Sequence, residues 1–118
     1  MRAAGTADLP AIEWIQQVSP AASQWPVSDY LDYDCRVAVE ADQVAGLLAA
    51  RQVAAGEFEI LNLAVAPGRR RKGVGRALIS ALLRERPASV FLEVRESNSE
   101  ARLFYHSLGF RPAGRRPG

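Results

Sequence analysis

The chain has 118 residues, of which 48% are hydrophobic and 24% charged, a balance that suits one small globular domain with a single core. No apolar run reaches the ~20 residues that span a bilayer, and the first residues hold no apolar signal region, so the expectation is a soluble, cytoplasmic protein without a membrane partner. The one cysteine, Cys35, excludes an intrachain disulfide or a multi-thiolate metal site, and its expected role is that of a small buried hydrophobe.

The formal net charge of +2 conceals clustering: Arg69, Arg70, Arg71, Lys72 and Arg76 stand together, as do Arg111, Arg115 and Arg116. Such a local positive field attracts polyanions. No aromatic residues interleave with the basic run to stack on bases, so a diphosphate-bearing small molecule is a more economical partner than nucleic acid.

Residues 1–6 read as a short edge strand. Thr6 or Asp8 can cap a helix whose apolar face is Leu9, Ile12, Ile15 and Val18, and Ser19-Pro20 ends it. Residues 21–34 form a loop with a short helix after Pro26. Its large rings, Trp25, Tyr30 and Tyr33, are expected as core or loop anchors, with a substrate wall as the alternative. Residues 35–40 and 44–54 read as antiparallel strands about a turn at Ala41-Asp42-Gln43, and Ala55-Gly56 turns the chain into a third strand over 57–65. Gly46 inside the second strand implies either a bulge or the close approach of another element.

In the third strand Leu61, Leu63 and Val65 alternate as one half-buried face, and Pro67-Gly68 stops it. Val74, Ala77, Leu78, Ala81 and Leu82 then recur at i, i+3, i+4, i+7 and i+8, which predicts a helix over 74–85. Gly73 and Gly75 lie in its first turn, where free backbone N–H groups and the positive end of the helix dipole favour an anion. The spacing fits neither the Walker pattern nor a dinucleotide fingerprint, and a plain basic turn capping an ordinary helix is the competing reading. Beyond Pro87, residues 89–94 read as a strand with Val90, Leu92 and Val94 on one face and Phe91, Glu93 and Arg95 on the other. Strand, helix and strand in succession imply a parallel pair joined by a right-handed crossover. Ser97 and Glu100 have the spacing of a capping box for a helix that runs through Leu103 and Phe104 and stops at Gly109. Phe110 is expected to open another strand, and residues 112–118 to form a flexible tail of a single domain spanning 1–118.

The segment Arg70-Arg71-Lys72-Gly73-Val74-Gly75 matches the [QR]-x-x-G-x-[GA] acetyl-CoA signature of the GNAT superfamily of N-acetyltransferases. The run from Phe91 to Asn98, followed by Ala101-Arg102-Leu103-Phe104-Tyr105-His106-Ser107-Leu108-Gly109-Phe110, resembles the LEVR-x-SN and A-x-x-x-Y-x-x-x-GF motifs of the ribosomal-protein-alanine N-acetyltransferases. The resemblance implies an α/β (α+β) fold: a mixed central sheet with an antiparallel N-terminal meander and a splayed parallel strand pair, flanked by helices. It also implies acetyl-CoA as cosubstrate and no metal. The pantetheine arm is expected between the two parallel strands and the pyrophosphate on the amides from about Arg70 to Gly75. The cofactor contacts carried over are Leu63, Ala64, Val65, Arg70, Arg71, Lys72, Gly73, Val74, Gly75, Arg76, Asn98 and Tyr105, with helix capping an additional role for Asn98. Family members continue past Arg115-Arg116-Pro117-Gly118 into a strand that completes the last hairpin. An incomplete hairpin is therefore expected here, and a sheet edge open to pairing with a second copy.

Acetyl transfer requires a neutral amine, a place for negative charge on the carbonyl oxygen and a proton for the departing thiolate. Glu93, near the end of a parallel strand, is the candidate base acting through water, with an ion pair to Arg95 or Arg36 as the competing role. Tyr105 is the candidate acid, since a phenol of reference pKa ~10 can donate to a thiolate of ~8.5; membership of a buried stripe beside Phe104 competes with that role. Backbone N–H groups near Ala64 and Val65 are candidates for the oxyanion. His106 is expected on the helix surface. The acceptor that the resemblance implies is the α-amino terminus of a protein. An amine of pKa ~8 is roughly a tenth neutral at pH 7, whereas a lysine of ~10.4 is neutral at only a few parts in ten thousand. A small-molecule amine satisfies the same residues, and a catalytically impaired acetyl-CoA-binding module is the further alternative.

Overall fold

The computed structural model describes residues 1–19, 26–70, 73–85, 89–92 and 99–111. The elements run β1 (Arg2–Ala3), a 3-10 turn (Thr6–Asp8), α1 (Leu9–Gln17), a 3-10 helix (Val27–Asp32), β2 (Asp34–Glu40), β3 (Gln43–Ala54), β4 (Glu57–Val65), α2 (Val74–Glu85), β5 (Ser89–Leu92) and α3 (Ser99–Ser107). The strands form one sheet in the order β1-β2-β3-β4-β5, antiparallel throughout except for the parallel pair β4 and β5. The mixed sheet, its meander and its crossover therefore stand as the sequence implies.

Alternation along the strands divides the core between the two faces of the sheet. Cys35, Val37, Leu47, Ala49 and Ala64 pack with Ile12 and Ile15 of α1 and with Tyr30, whereas Ala38, Leu48, Ala50 and Ile60 pack with Val74, Leu78, Ile79 and Leu82 of α2. Val90, Leu92, Phe104, Tyr105 and Leu108 extend the second layer. Cys35 is buried, as expected, and burial pushes its thiol up to about 11. The Asp8 carboxylate does not cap α1. It accepts from both terminal nitrogens of Arg2 at 2.7 and 2.8 Å and from the Gly5 N–H at 2.8 Å, which ties β1 to the start of the helix.

Two irregularities decide how the site is built. At Gly46 both sequence alternatives hold together. The register slips between Ala38 and Val39, leaving Ala45 as an extra residue, and a side chain on Gly46 would stand 3.0 Å from Val74 Cγ1 and 3.0 Å from Ala64 O. The glycine thus lets α2 lie down on β3. In β4, Ala49 pairs with Asn62 and Ala50 with Ile60, so Leu61 is bulged out of the ladder. This corrects the expected stripe of Leu61, Leu63 and Val65: the bulge changes the phase by one residue, so Leu61 packs in the α1 layer while Leu63 and Val65 face α2. Phe110 opens no strand among the described residues, since its N–H closes α3 instead. The 112–118 tail lies outside them.

Candidate active site

The ladder between β4 and β5 ends at Ile60 opposite Leu92, and β4 continues for five residues, Leu61 to Val65, with no partner on that side among the described residues. Ala66 N–H donates to Ala45 O at 2.8 Å. Because successive peptide N–H groups of a strand point to opposite sides, Ala64 N–H also faces β3, and the N–H groups of Leu63 and Val65 face the open side. Of the two amides proposed for an oxyanion, Val65 therefore presents its N–H to the open edge and Ala64 does not.

Beyond the Pro67-Gly68 turn the chain enters α2. Gly73 has φ +82°, a left-handed conformation that disfavours a side chain, and nothing lies within 4 Å of where its Cβ would stand. Its carbonyl accepts from Ala77 N–H, so the N–H groups of Val74, Gly75 and Arg76 lack intrahelical acceptors. Gly75 serves a different purpose. A Cβ there would meet Phe104 Cζ at 3.3 Å and the side chains of Leu63 and Val65 at 3.7 Å, so this glycine lets α3 and β4 close on the first turn of α2. A bare left-handed residue leading into the first-turn amides of a helix is a fitting cradle for the diphosphate of acetyl-CoA. The hollow of about 250 Å³ on the other flank of this turn is lined by Glu40, which is the wrong charge for that role.

The basic cluster is less free than its sequence suggests. Arg69 forms an ion pair with Glu40 at 2.8 Å. Arg70 donates from Nε to Val65 O at 3.0 Å and from Nη2 to Val18 O at 3.1 Å and Ser19 Oγ at 3.0 Å, so its guanidinium is turned into the protein. Arg76 reaches Ser107 Oγ of α3 at 3.4 Å. Arg36 is engaged by Asp34 at 2.9 Å and Glu85 at 2.7 Å, while Glu93, its candidate partner, lies outside the described residues.

Tyr105 is held by the way α3 ends. Gly109 has φ +95°, its N–H donates to His106 O at 3.0 Å, and Phe110 N–H donates to Tyr105 O at 3.1 Å. These are the two bonds of a Schellman motif, and the apolar contact that accompanies it joins Tyr105 to Phe110, with ring centroids 5.6 Å apart and planes at 76°. The Tyr-x-x-x-Gly-Phe spacing is thus a device that stops the helix and clamps the tyrosine ring. Phe104 packs edge-on to the same ring at 5.2 Å and reaches Gly75 as well. Burial pushes the Tyr105 phenol up to about 12, so it carries its proton at neutral pH. His106 is exposed, as expected.

The structure therefore brings Leu63, Val65, Val74, Gly75 and Tyr105 into one layer. Gly73 and Arg76 stand at its edge. Glu93, Asn98, Arg71, Lys72 and the capping-box Ser97 lie outside the described residues, as does Trp25. Sequence reasoning missed the inward turn of Arg70, the clamp by Phe110 and the polar group around Tyr30. An asparagine at 62 within an apolar strand was the available signal for the last.

This mixed sheet, with one parallel pair and a left-handed glycine leading into the helix between those two strands, is the frame of an acyl-CoA-dependent transferase. The chain belongs to the acetyltransferase (GNAT) family, whose model matches residues 7–110. It is accordingly an N-acetyltransferase of a family that uses acetyl-CoA. It is 34% identical over 122 aligned positions to the [ribosomal protein bS18]-alanine N-acetyltransferase of Escherichia coli (strain K12), covering 92% of this chain and 78% of that protein. The crystal structure of the ribosomal-protein-S18-alanine N-acetyltransferase from Escherichia coli superimposes with a TM-score of 0.79 at 32% identity, covering 95% of this chain and 77% of that one. Ard1 from Thermoplasma volcanium superimposes with a TM-score of 0.86 at 32% identity, covering 96% and 82%. Among the described residues no helix is long and apolar enough to cross a membrane, and no cluster of candidate metal ligands occurs.

Proposed function

We propose that the protein acetylates the α-amino terminus of a cytoplasmic protein, a ribosomal protein with an N-terminal alanine in the first instance. The observation that carries the acceptor class is the 34% identity to the bS18-alanine enzyme over 92% of the chain. Acetyl-CoA supplies an acyl group activated as a thioester. The N–H groups of Val74, Gly75 and Arg76 bind its diphosphate, helped by Arg71, Lys72 and Asn98, and the edge of β4 at Leu63 and Val65 lines its arm. Glu93 takes the proton of the attacking amine through water. Val65 N–H donates a hydrogen bond to the carbonyl oxygen as negative charge builds there, and Tyr105 gives its proton to the sulfur as the carbon–sulfur bond breaks. The clamped, protonated state of Tyr105 supports that role.

The test is a competition among an alanine-starting peptide, the same peptide with a blocked terminus and an internal lysine, and a polyamine. The alanine peptide should give the highest kcat/KM, with a rate that rises as pH approaches the amine pKa of ~8. Preference for the polyamine would reassign the acceptor. A rise in melting temperature with acetyl-CoA but no turnover of any amine would make the protein a binding module.

A further inference from the structure

Three polar side chains meet inside the otherwise apolar layer between α1 and the sheet. Tyr30 is 1% exposed, Asn62 5% and Gln16 7%. Asn62 Nδ2 donates to Tyr30 Oη at 2.7 Å, and Tyr30 Oη donates to Gln16 Oε1. Burial raises the pKa of this phenol, so it keeps the proton that it gives. The surroundings are Ile12, Ile15, Val37, Leu47 and Ala49, where a polar group that loses its partner costs about 1–3 kcal/mol. Aliphatic side chains would fill the same layer without that liability. The polar chain is better understood through what it holds in place.

Its position says what that is. Asn62 follows the bulged Leu61, and the bulge falls one residue past Ile60, which among the described residues is the last of β4 paired with β5. A bulge bends its strand and breaks the ladder locally, so backbone pairing alone fixes the direction of the following residues less firmly. At that corner the Asn62 side chain ties β4 to the 3-10 helix through Tyr30 and to the last turn of α1 through Gln16.

We infer that the Gln16, Tyr30 and Asn62 hydrogen-bond chain positions the bent end of β4, residues 63–65, and thereby sets the rate of acetyl transfer without touching the reactants. The inference rests on the reading of this edge as the seat of the acyl donor. These three are positioning residues for the Val65 amide and the acyl group that lies against it.

Tyr30→Phe removes the central hydroxyl, and the triple variant Gln16→Leu/Tyr30→Phe/Asn62→Leu removes all three polar side chains of the hydrogen-bond chain. Both are assayed well below their melting temperatures for kcat, KM for acetyl-CoA and amide hydrogen exchange along β4. Tyr30→Phe should lower kcat by one to two orders of magnitude, roughly the loss that follows a 1 Å misplacement, with KM for acetyl-CoA within about twofold. Exchange should quicken at Ala64 and Ala66 and stay unchanged in β2. The triple variant should be at least as slow, whatever its melting temperature. Wild-type kcat and unchanged exchange in either folded variant would overturn the inference, as would a kcat that recovers along with the melting temperature. If the triple variant does not fold, Tyr30→Phe decides alone. If the wild-type protein acetylates no amine, the proposed acceptor chemistry fails, and local exchange at Ala64 and Ala66 still decides for or against the tie.

Discussion

Tyr105 keeps its proton because of where its ring is packed, and that gives two expectations at the scale of single residues. Replacing it with Phe leaves the contacts with Phe104 and Phe110 in place and removes only the hydroxyl. kcat should fall about 10²–10⁴-fold with little change in acetyl-CoA affinity, measured by steady-state kinetics beside a binding isotherm. The second concerns stability at high pH. Burial raises the Cys35 thiol from 9.0 to about 11 and the Tyr105 phenol from 10.0 to about 12. Both groups hold protons more tightly when folded, so their stabilisation is full below the unfolded pKa values and is lost as pH rises through the folded ones. Melting temperature should decline from about pH 9 upward, and Cys35→Ala should move the onset toward pH 10. Tyr105 was legible as a candidate because it stands in the Tyr-x-x-x-Gly-Phe motif, although the clamp that Phe110 makes on its ring was not. Asn62 was not, since one polar residue in an apolar run has no period to betray its partner 32 positions away.

At the scale of elements, three glycines that look alike in sequence do three kinds of work. Gly73 is needed for its left-handed backbone and has open space beside it, so Gly73→Ala should cost about 1–2 kcal/mol of strain without a clash. Gly75 has ordinary backbone and no room, with Phe104 Cζ 3.3 Å from a Cβ, so Gly75→Val should cost about 1–3 kcal/mol by pushing α3 off α2. Gly109→Ala should cost about 1–2 kcal/mol by opposing the turn that ends α3. Denaturant midpoints measure these costs. Kinetics separate them in kind: Gly109→Ala should lower kcat through Tyr105, and Gly73→Ala should weaken acetyl-CoA binding. The helix boundaries of α2 followed from its apolar period, which tertiary contacts reinforce. The bulge at Leu61 was overlooked although the sequence marks it: Phe58 and Ile60 alternate in one phase and Leu61, Leu63 and Val65 in the other, so the apolar period itself slips by one at Ile60-Leu61.

For the whole molecule, the meander was readable because its two turns, 41–42 and 55–56, are short, and the crossover because a helix with a clear apolar period separates β4 from β5, but the ties between the two faces of the sheet were not. Arg70 is the chief example. It opens the acetyl-CoA signature, yet its guanidinium binds Val65 O at the end of β4 together with Val18 O and Ser19 Oγ after α1, joining the layer on one face to the loop that feeds α2 on the other. Arg36 makes a comparable tie at the far end of α2 through Glu85 at 2.7 Å. Arg70 should therefore shape the diphosphate cradle and leave its charge unused there. Arg70→Ala should lower stability by about 1 kcal/mol, the net worth of exposed hydrogen bonds, and weaken acetyl-CoA binding. The slope of log Kd against log salt should stay as in the wild type, because no phosphate contact is lost. Arg70→Lys keeps the charge but not the planar fork that reaches three acceptors, so it should behave like the alanine variant. A lysine that restores binding, or an alanine that flattens the salt dependence, would place the Arg70 charge on the diphosphate and undo the latch.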